Sequence, residues 1–166
     1  MTDALERTQQ FEGCRLKPYL DCCSRPWREC VCPEKGVLTI GVGCNLDQGI
    51  SALEAHFLFQ NRMKDARDDL NYHIPGAAAH LNDARYAALW DLVYNLGIGR
   101  LLGFKNMLTA IKVGDWQRAH DELLYADPSK GNRAPNPYWL DVGDGPGGKF
   151  DRAERNAKIL LTGEWS

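Results

Sequence analysis

Two carboxylates with unlike surroundings are the residues of this chain best suited to acid–base chemistry. Glu12 directly precedes Gly13, and glycine commonly ends helices. A carboxylate in the last helical turn faces the negative end of the helix dipole, which favours its protonated form. Asp21 follows Pro18 and Tyr19 in an extended or turn segment, where water keeps a carboxylate ionised. One protonated and one ionised carboxyl group is the pairing that general acid–base catalysis uses.

The cysteines are the second group that could do chemistry. All six lie in one short stretch: Cys14, Cys22, Cys23, Cys30, Cys32 and Cys44. Three disulfides, slightly favoured, could hold together a segment too short to build its own core. Alternatively, Cys22, Cys23, Cys30 and Cys32 could hold a structural Zn²⁺, although C-C-x6-C-x-C lacks the common C-x2-C pair. Six unlinked thiols are the third interpretation. Because the segment leaves directly after Asp21, its redox or metal state could tune activity.

Hydrophobic periodicity and turn signals predict the elements that position these residues. A short helix is expected at about 3–12, an extended segment at 16–20 and a hairpin strand at 37–42. Residues 22–35 have no periodicity and contain two prolines, so we interpret them as an insertion. The two carboxylates would therefore lie on either side of a change from helix to strand.

The rest of the chain is predicted to be mainly helical. Ser51 and Glu54 have the spacing of a capping box and start a helix that reaches about Leu70. An apolar core helix should begin at Asn82 or Asp83 and end at Gly97. Further helices are expected at 104–113, 115–124 and 150–162, with a long loop rich in proline and glycine at 126–149.

Composition bounds the class of protein. A chain of 166 residues fits one domain or two small lobes that share a helix. A net charge of -2 offers no electrostatic footprint for nucleic acid. No apolar run is long enough to span a bilayer, and the polar first ten residues do not have the pattern of a secretory signal. We therefore expect no nucleic-acid partner and no membrane insertion.

Several ordered motifs carry a resemblance to a known family. Residues 12–21 have the pattern E-G-x-R-L-K-x-Y-x-D, and T-I-G-V-G follows at 39–43. Looser matches are Y-N-L-G at 94–97, G-F-K-N at 103–106, R-A-E-R at 152–155 and T-G-E-W at 162–165. Together they resemble the phage-type lysozymes, the endolysin glycoside hydrolases that cut peptidoglycan.

The resemblance implies a role for each residue of the first two motifs. Glu12 would be the general acid, Asp21 would orient or activate the attacking water, and the Thr39 hydroxyl would help to hold that water. Since a hydroxyl is no nucleophile without a base, this set favours direct attack by water and inversion. The resemblance further implies that Gly43 and Asn45 touch substrate.

Four more substrate contacts follow from the resemblance, on the second part of the chain. They are Tyr94, Asn106, Glu122 and Arg152. Tyr94 would line the sugar cleft, although a core tyrosine is an equal alternative. Arg152 would pair with the catalytic glutamate, or instead with an acidic residue of its own helix. Glu122 departs from the small polar residue that the family has there, so the resemblance does not decide how that subsite binds sugar.

An α+β, lysozyme-like fold is therefore expected over residues 1–166. It would have a small N-terminal lobe with a β-hairpin at about 12–50, a linking helix at about 51–70, and a larger helical lobe at about 71–166 packed with helix 3–12. The resemblance implies a monomeric muramidase that cleaves the β-1,4 bond between N-acetylmuramic acid and N-acetylglucosamine and requires no cofactor. The alternative is a non-catalytic peptidoglycan-binding or Cys-rich metal-binding module on the same scaffold.

Three biological uses share this chemistry. They are host lysis by a phage, local wall opening by a phage tail, and an antibacterial effector delivered by a secretion machine. In each case we expect a protein made in the cytoplasm without a signal peptide, which acts in the periplasm after release or delivery.

Overall fold

The described part of the chain falls into two compact units. The computed structural model describes residues 14–23, 25–32, 36–76, 81–139 and 149–165. The units are residues 1–57 and 58–166. The first contains a small antiparallel sheet and the second is mainly helical, which confirms the predicted α+β class. The helix predicted at 3–12 lies outside the described residues.

A three-stranded antiparallel sheet, in the order β1-β2-β3, forms the first unit. Its strands are β1 (Arg15–Leu20), β2 (Leu38–Gly41) and β3 (Cys44–Asn45), which confirms the extended segments predicted around 16–20 and 37–42. Gly43 has a φ of 67°, in the left-handed region that glycine enters without a steric cost, and it closes the hairpin between β2 and β3. The sheet sets the residues after β1 beside those that lead into β2.

Helix α1 (Ala52–His73) begins with the predicted capping box and runs three residues past the predicted end. The Glu54 N–H donates to the Ser51 hydroxyl at 3.2 Å, and Oε2 of Glu54 accepts from the Ser51 N–H at 2.8 Å. Hydrogen bonds from the Ser51 hydroxyl and backbone lower the pKa of Glu54 below its ordinary value.

The second unit contains the other α-helices of the described residues. They are α2 (Asp83–Leu96), α3 (Ile98–Leu101), α4 (Lys105–Val113), α5 (Trp116–Leu124) and α6 (Lys149–Thr162). Four match the predicted helices to within one residue, whereas α3 was not predicted. Their largest fully buried side chains, with one from α1, are Leu70, Leu89, Leu92, Leu101, Met107, Leu123 and Leu160. None of the helices in the described ranges has both the length and the apolar character needed to cross a membrane.

The prediction of a loop at 126–149 is wrong for the first part of this range, where the chain forms a second hairpin. β4 (Tyr125–Asp127) pairs antiparallel with β5 (Asn132–Pro135). Gly131, with a φ of 76°, supplies the left-handed residue before β5 that the turn requires. The indole N–H of Trp139, a buried residue, then donates to the Leu123 carbonyl at 2.7 Å and ties the end of the segment to α5.

Candidate active site

Asp21 lies in the turn after β1 and is held by the backbone of Val37. Its Oδ1 accepts a hydrogen bond from the Val37 N–H at 2.7 Å, and its own N–H donates to the Val37 carbonyl at 3.2 Å. Asp21 is exposed. Since only Oδ1 takes part in this bond, Oδ2 can accept a proton or a hydrogen bond from a bound molecule.

Thr39 shares the same anchor. Its hydroxyl donates to the Val37 carbonyl at 3.1 Å, and the residue is 6% exposed, on β2 opposite Tyr19 and Asn45. A hydroxyl has one donor and two acceptor lone pairs, so toward a bound molecule Thr39 acts as an acceptor. The backbone N–H and carbonyl of Val37 therefore position both residues. The motifs did not predict this role of Val37, because a backbone role leaves no side-chain signal in the sequence.

Gly43 and Asn45 continue the same sheet. Gly43 is exposed in the β2–β3 hairpin. Oδ1 of Asn45 accepts from the Asp47 N–H at 2.8 Å and caps the short 3-10 turn that follows β3. This bond fixes the Asn45 amide with its NH₂ group available to donate to a ligand.

Tyr94 is accessible on α2 and is not a core tyrosine. It is 38% exposed, and its ring stands edge-on to that of Phe59 with centroids 5.6 Å apart. Both it and Asn95 line a pocket of about 450 Å³, together with Asp65 and Asp69 of α1. This pocket offers an aromatic edge with amide and carboxylate groups beside it, a combination that suits a sugar.

Arg152 contacts two polar residues of α2. Its Nη1 donates to Oδ1 of Asn95, and its Nε lies 3.7 Å from Oδ2 of Asp91. Asn156, which is buried, donates from Nδ2 to the same Asp91 oxygen at 2.7 Å. The predicted partner, Glu12, lies outside the described residues.

The residues that support this network have a signal of their own in the sequence. Asp91 and Asn95 are four apart on one helix, and Arg152 and Asn156 are four apart on another. Such spacing puts each pair on one helix face. Asp91 and Asn95 stand among apolar residues, so this pair indicates a polar contact of α2 with another helix.

Asn106 and Glu122 meet at a second pocket. Nδ2 of Asn106 donates to Oε2 of Glu122 at 3.1 Å, while Oε1 of Glu122 lies 3.8 Å from Nε of Arg118. The two residues line a pocket of about 310 Å³ that Tyr138 also borders. Glu122 is thus oriented by an amide and a guanidinium, so its carboxylate presents hydrogen-bond acceptors at a defined place.

Four cysteines of the insertion converge on one point. The Sγ atoms of Cys22, Cys23, Cys30 and Cys32 all lie within 4.8 Å of one another. The separation is 3.5 Å between Cys23 and Cys30, 3.6 Å between Cys22 and Cys30, and 3.9 Å between Cys22 and Cys23. No disulfide joins any of the six cysteines, all of which lie in the described ranges. The disulfide and zinc interpretations both stay predictions.

The thiols of this cluster perturb one another. The backbone N–H of Cys32 donates to the Cys30 sulfur and lowers the pKa of that thiol to about 7. Hydrogen bonds with the neighbouring thiols, that of Cys22 first, raise the pKa of Cys32 to about 12. One sulfur of the cluster is therefore held ready to be a thiolate while another keeps its proton.

The structure thus assembles the predicted site in parts. Asp21 and Thr39 meet at Val37 in the first unit, whose sheet also contains Gly43 and Asn45. In the second unit, Tyr94 lines one pocket and Asn106 and Glu122 line another, while Arg152 contacts Asn95. The third predicted catalytic residue, Glu12, lies outside the described part of the chain.

Comparison with known proteins agrees with the motifs. The family model described as phage lysozyme matches residues 9–136, a range that contains the predicted site residues from Glu12 to Glu122. The chain is also similar to the pre-baseplate central spike protein Gp5 of Enterobacteria phage T4, with 28% identity over 175 aligned residues. The alignment covers 95% of this chain, and the chain spans only 27% of the length of that relative.

Proposed function

The chain belongs to the phage lysozyme family, and on that premise we propose that it is a glycoside hydrolase that degrades peptidoglycan. The bond cleaved is the β-1,4 linkage between N-acetylmuramic acid and N-acetylglucosamine. No cofactor takes part in the reaction. The observation that carries the proposal is the shared anchor of Asp21 and Thr39 on the Val37 peptide, since the family motif would require these two residues to act on one molecule.

Glu12 donates a proton to the glycosidic oxygen and so permits the leaving sugar to depart as an alcohol. A water on the opposite face of the ring attacks the anomeric carbon. This water gives its proton to Oδ2 of Asp21, because Oδ1 is occupied by the Val37 N–H. A second hydrogen of the water points to Thr39, whose own hydroxyl hydrogen is committed to the Val37 carbonyl.

This arrangement supports inversion rather than a covalent intermediate. A direct attack by water needs a base and an acceptor that hold the water, and Asp21 with Thr39 supplies both. The resulting sugar would carry the α configuration at its new reducing end. Six further residues would contact the glycan chain: Gly43, Asn45, Tyr94, Asn106, Glu122 and Arg152.

The experiment is the digestion of purified Gram-negative peptidoglycan, with new reducing ends quantified and the anomer formed first identified by NMR. The wild type is compared with Glu12→Gln, which keeps the shape of the side chain but cannot donate the proton. Glu164→Gln, at an exposed position, is the matched control. We expect α reducing ends from the wild type and the control only. Binding to peptidoglycan without new reducing ends would favour the non-catalytic module.

Local opening of the cell wall by a phage tail is the biological use that we favour. The support is the similarity to a phage T4 protein named as the central spike of the pre-baseplate. The site of action would then be the periplasm. The chain should be detected in purified phage particles by mass spectrometry, whereas its presence only in the soluble fraction of the lysate would favour host lysis.

A further inference from the structure

We propose that Cys22, Cys23, Cys30 and Cys32 bind one Zn²⁺ ion as a structural tetrathiolate site. In a tetrahedral site with Zn–S bonds of about 2.3 Å, neighbouring sulfurs stand about 3.8 Å apart. Three of the separations here are 3.5, 3.6 and 3.9 Å, and all four sulfurs lie within 4.8 Å of one another. The cluster therefore has the dimensions of a zinc site with each residue giving one sulfur.

The pattern of distances does not single out pairs of cysteines. Cys30 lies almost equally close to Cys22 and to Cys23, and these two also approach each other. A disulfide joins one sulfur to one other, whereas a metal ion joins all four at once. Thiolates are soft ligands that select Zn²⁺ over Mg²⁺ or Ca²⁺.

The backbone around the cluster holds the ligands in this arrangement. The Cys23 N–H donates to the Leu20 carbonyl, and the Leu20 N–H donates to the Arg25 carbonyl, so the chain turns back immediately after β1. Pro26 forms a bridge with Tyr19. This return brings the segment with Cys30 and Cys32 over Cys22 and Cys23.

Two sulfurs also receive backbone hydrogen bonds. The N–H of Gly36 donates to Cys22, and the N–H of Cys32 donates to Cys30. Hydrogen bonds from the outer shell orient metal ligands and are part of the design of such sites. The arrangement is thus one of a supported metal site in an insertion of which no described residue is buried.

The cluster is also connected to the turn that contains Asp21. Gly36 donates to the Cys22 sulfur, while the next residue, Val37, donates to Oδ1 of Asp21. A metal that fixes Cys22 would therefore fix the segment that orients Asp21. This positioning role rests on the proposed function, whereas the metal site itself does not.

Cobalt substitution tests the site directly. We expect the reduced protein to bind one Co²⁺ per chain with the intense thiolate charge-transfer and visible bands of a tetrahedral tetrathiolate complex, which stoichiometric Zn²⁺ then abolishes. Cys32→Ser should lose this spectrum. The matched controls Cys14→Ser and Cys44→Ser, which change cysteines outside the cluster, should keep it. The metal site would be overturned by a reduced wild type without the spectrum, or by an unchanged spectrum in Cys32→Ser. If Cys32→Ser does not fold, the wild-type spectrum alone decides the question.

Peptidoglycan digestion by zinc-loaded and chelator-treated protein, both kept reduced, tests the positioning role. We expect metal removal to lower the rate about 10-fold or more, and added Zn²⁺ to restore it. If the apo protein releases reducing ends as fast as the loaded protein, Zn²⁺ does not position Asp21, although the proposed hydrolase function is retained. If neither form releases reducing ends, the proposed function fails, and the cobalt result still decides the metal site.

Discussion

Replacing Gly36 with alanine should displace the side chain of Asp21 while leaving Asp21 itself unmutated. A Cβ at position 36 would lie 2.0 Å from Oδ1 of Asp21, 2.6 Å from the backbone nitrogen of Cys22 and 2.8 Å from its Cβ. Contacts of a Cβ below 3.0 Å essentially do not occur, so Oδ1 must retreat by about 1 Å or the turn must open. Either movement breaks the 2.7 Å bond from Val37.

A misplacement of about 1 Å in a catalytic group can lower the rate about 100-fold, so we expect Gly36→Ala to reduce the release of reducing ends by about 10- to 100-fold. Gly99→Ala is the matched control, because a Cβ there would meet nothing within 4 Å. Circular dichroism should show both variants folded. Full activity in Gly36→Ala would refute the contact between this glycine and Asp21, and with it the role of the turn in placing the base.

Two further predictions concern stability and titration. Asn82→Ala removes the cap of α2 and the 2.8 Å hydrogen bond from Asn82 to the Gly163 carbonyl. The free energy of unfolding in urea should therefore fall by about 1–2 kcal/mol. Asn61→Ala, at an exposed position within α1, is the control and should not lower it. Because the pKa of Glu54 is lowered in the folded state, its stabilising contribution is present above its ordinary pKa and is lost as pH falls through the folded value. Ser51→Ala should raise that pKa toward its ordinary value in an NMR titration, and an unchanged titration would contradict the capping box.

Much of the fold could be predicted because its signals are local. The capping box of Ser51 and Glu54, the cap at Asn82 and the β-branched residues of β2 are each signals from residues a few positions apart. The hairpin at 125–135 was missed because proline and glycine signal a turn but do not show that the flanking residues pair. The α3 helix was missed because four residues are too few to show a period.

The sequence by itself also determined which residues to consider for the site. The motifs around Asp21 and Thr39 named both residues, and the family match covers them. What it could not determine was how they are held, since the Val37 anchor consists of backbone groups 16 positions from Asp21. In the same way, Arg152 finds Asp91 and Asn95 across about 60 residues of chain.

Only the tertiary structure shows that four of the cysteines converge on one point. The spacing of Cys22, Cys23, Cys30 and Cys32 was compatible with disulfides, zinc or unlinked thiols, because the distance between two sulfurs depends on how the chain between them folds. The return of the insertion over β1, made by backbone hydrogen bonds and the bridge of Pro26 with Tyr19, brings all four sulfurs to one point. A sequence records which ligands are present, whereas their convergence in space is a property of the fold.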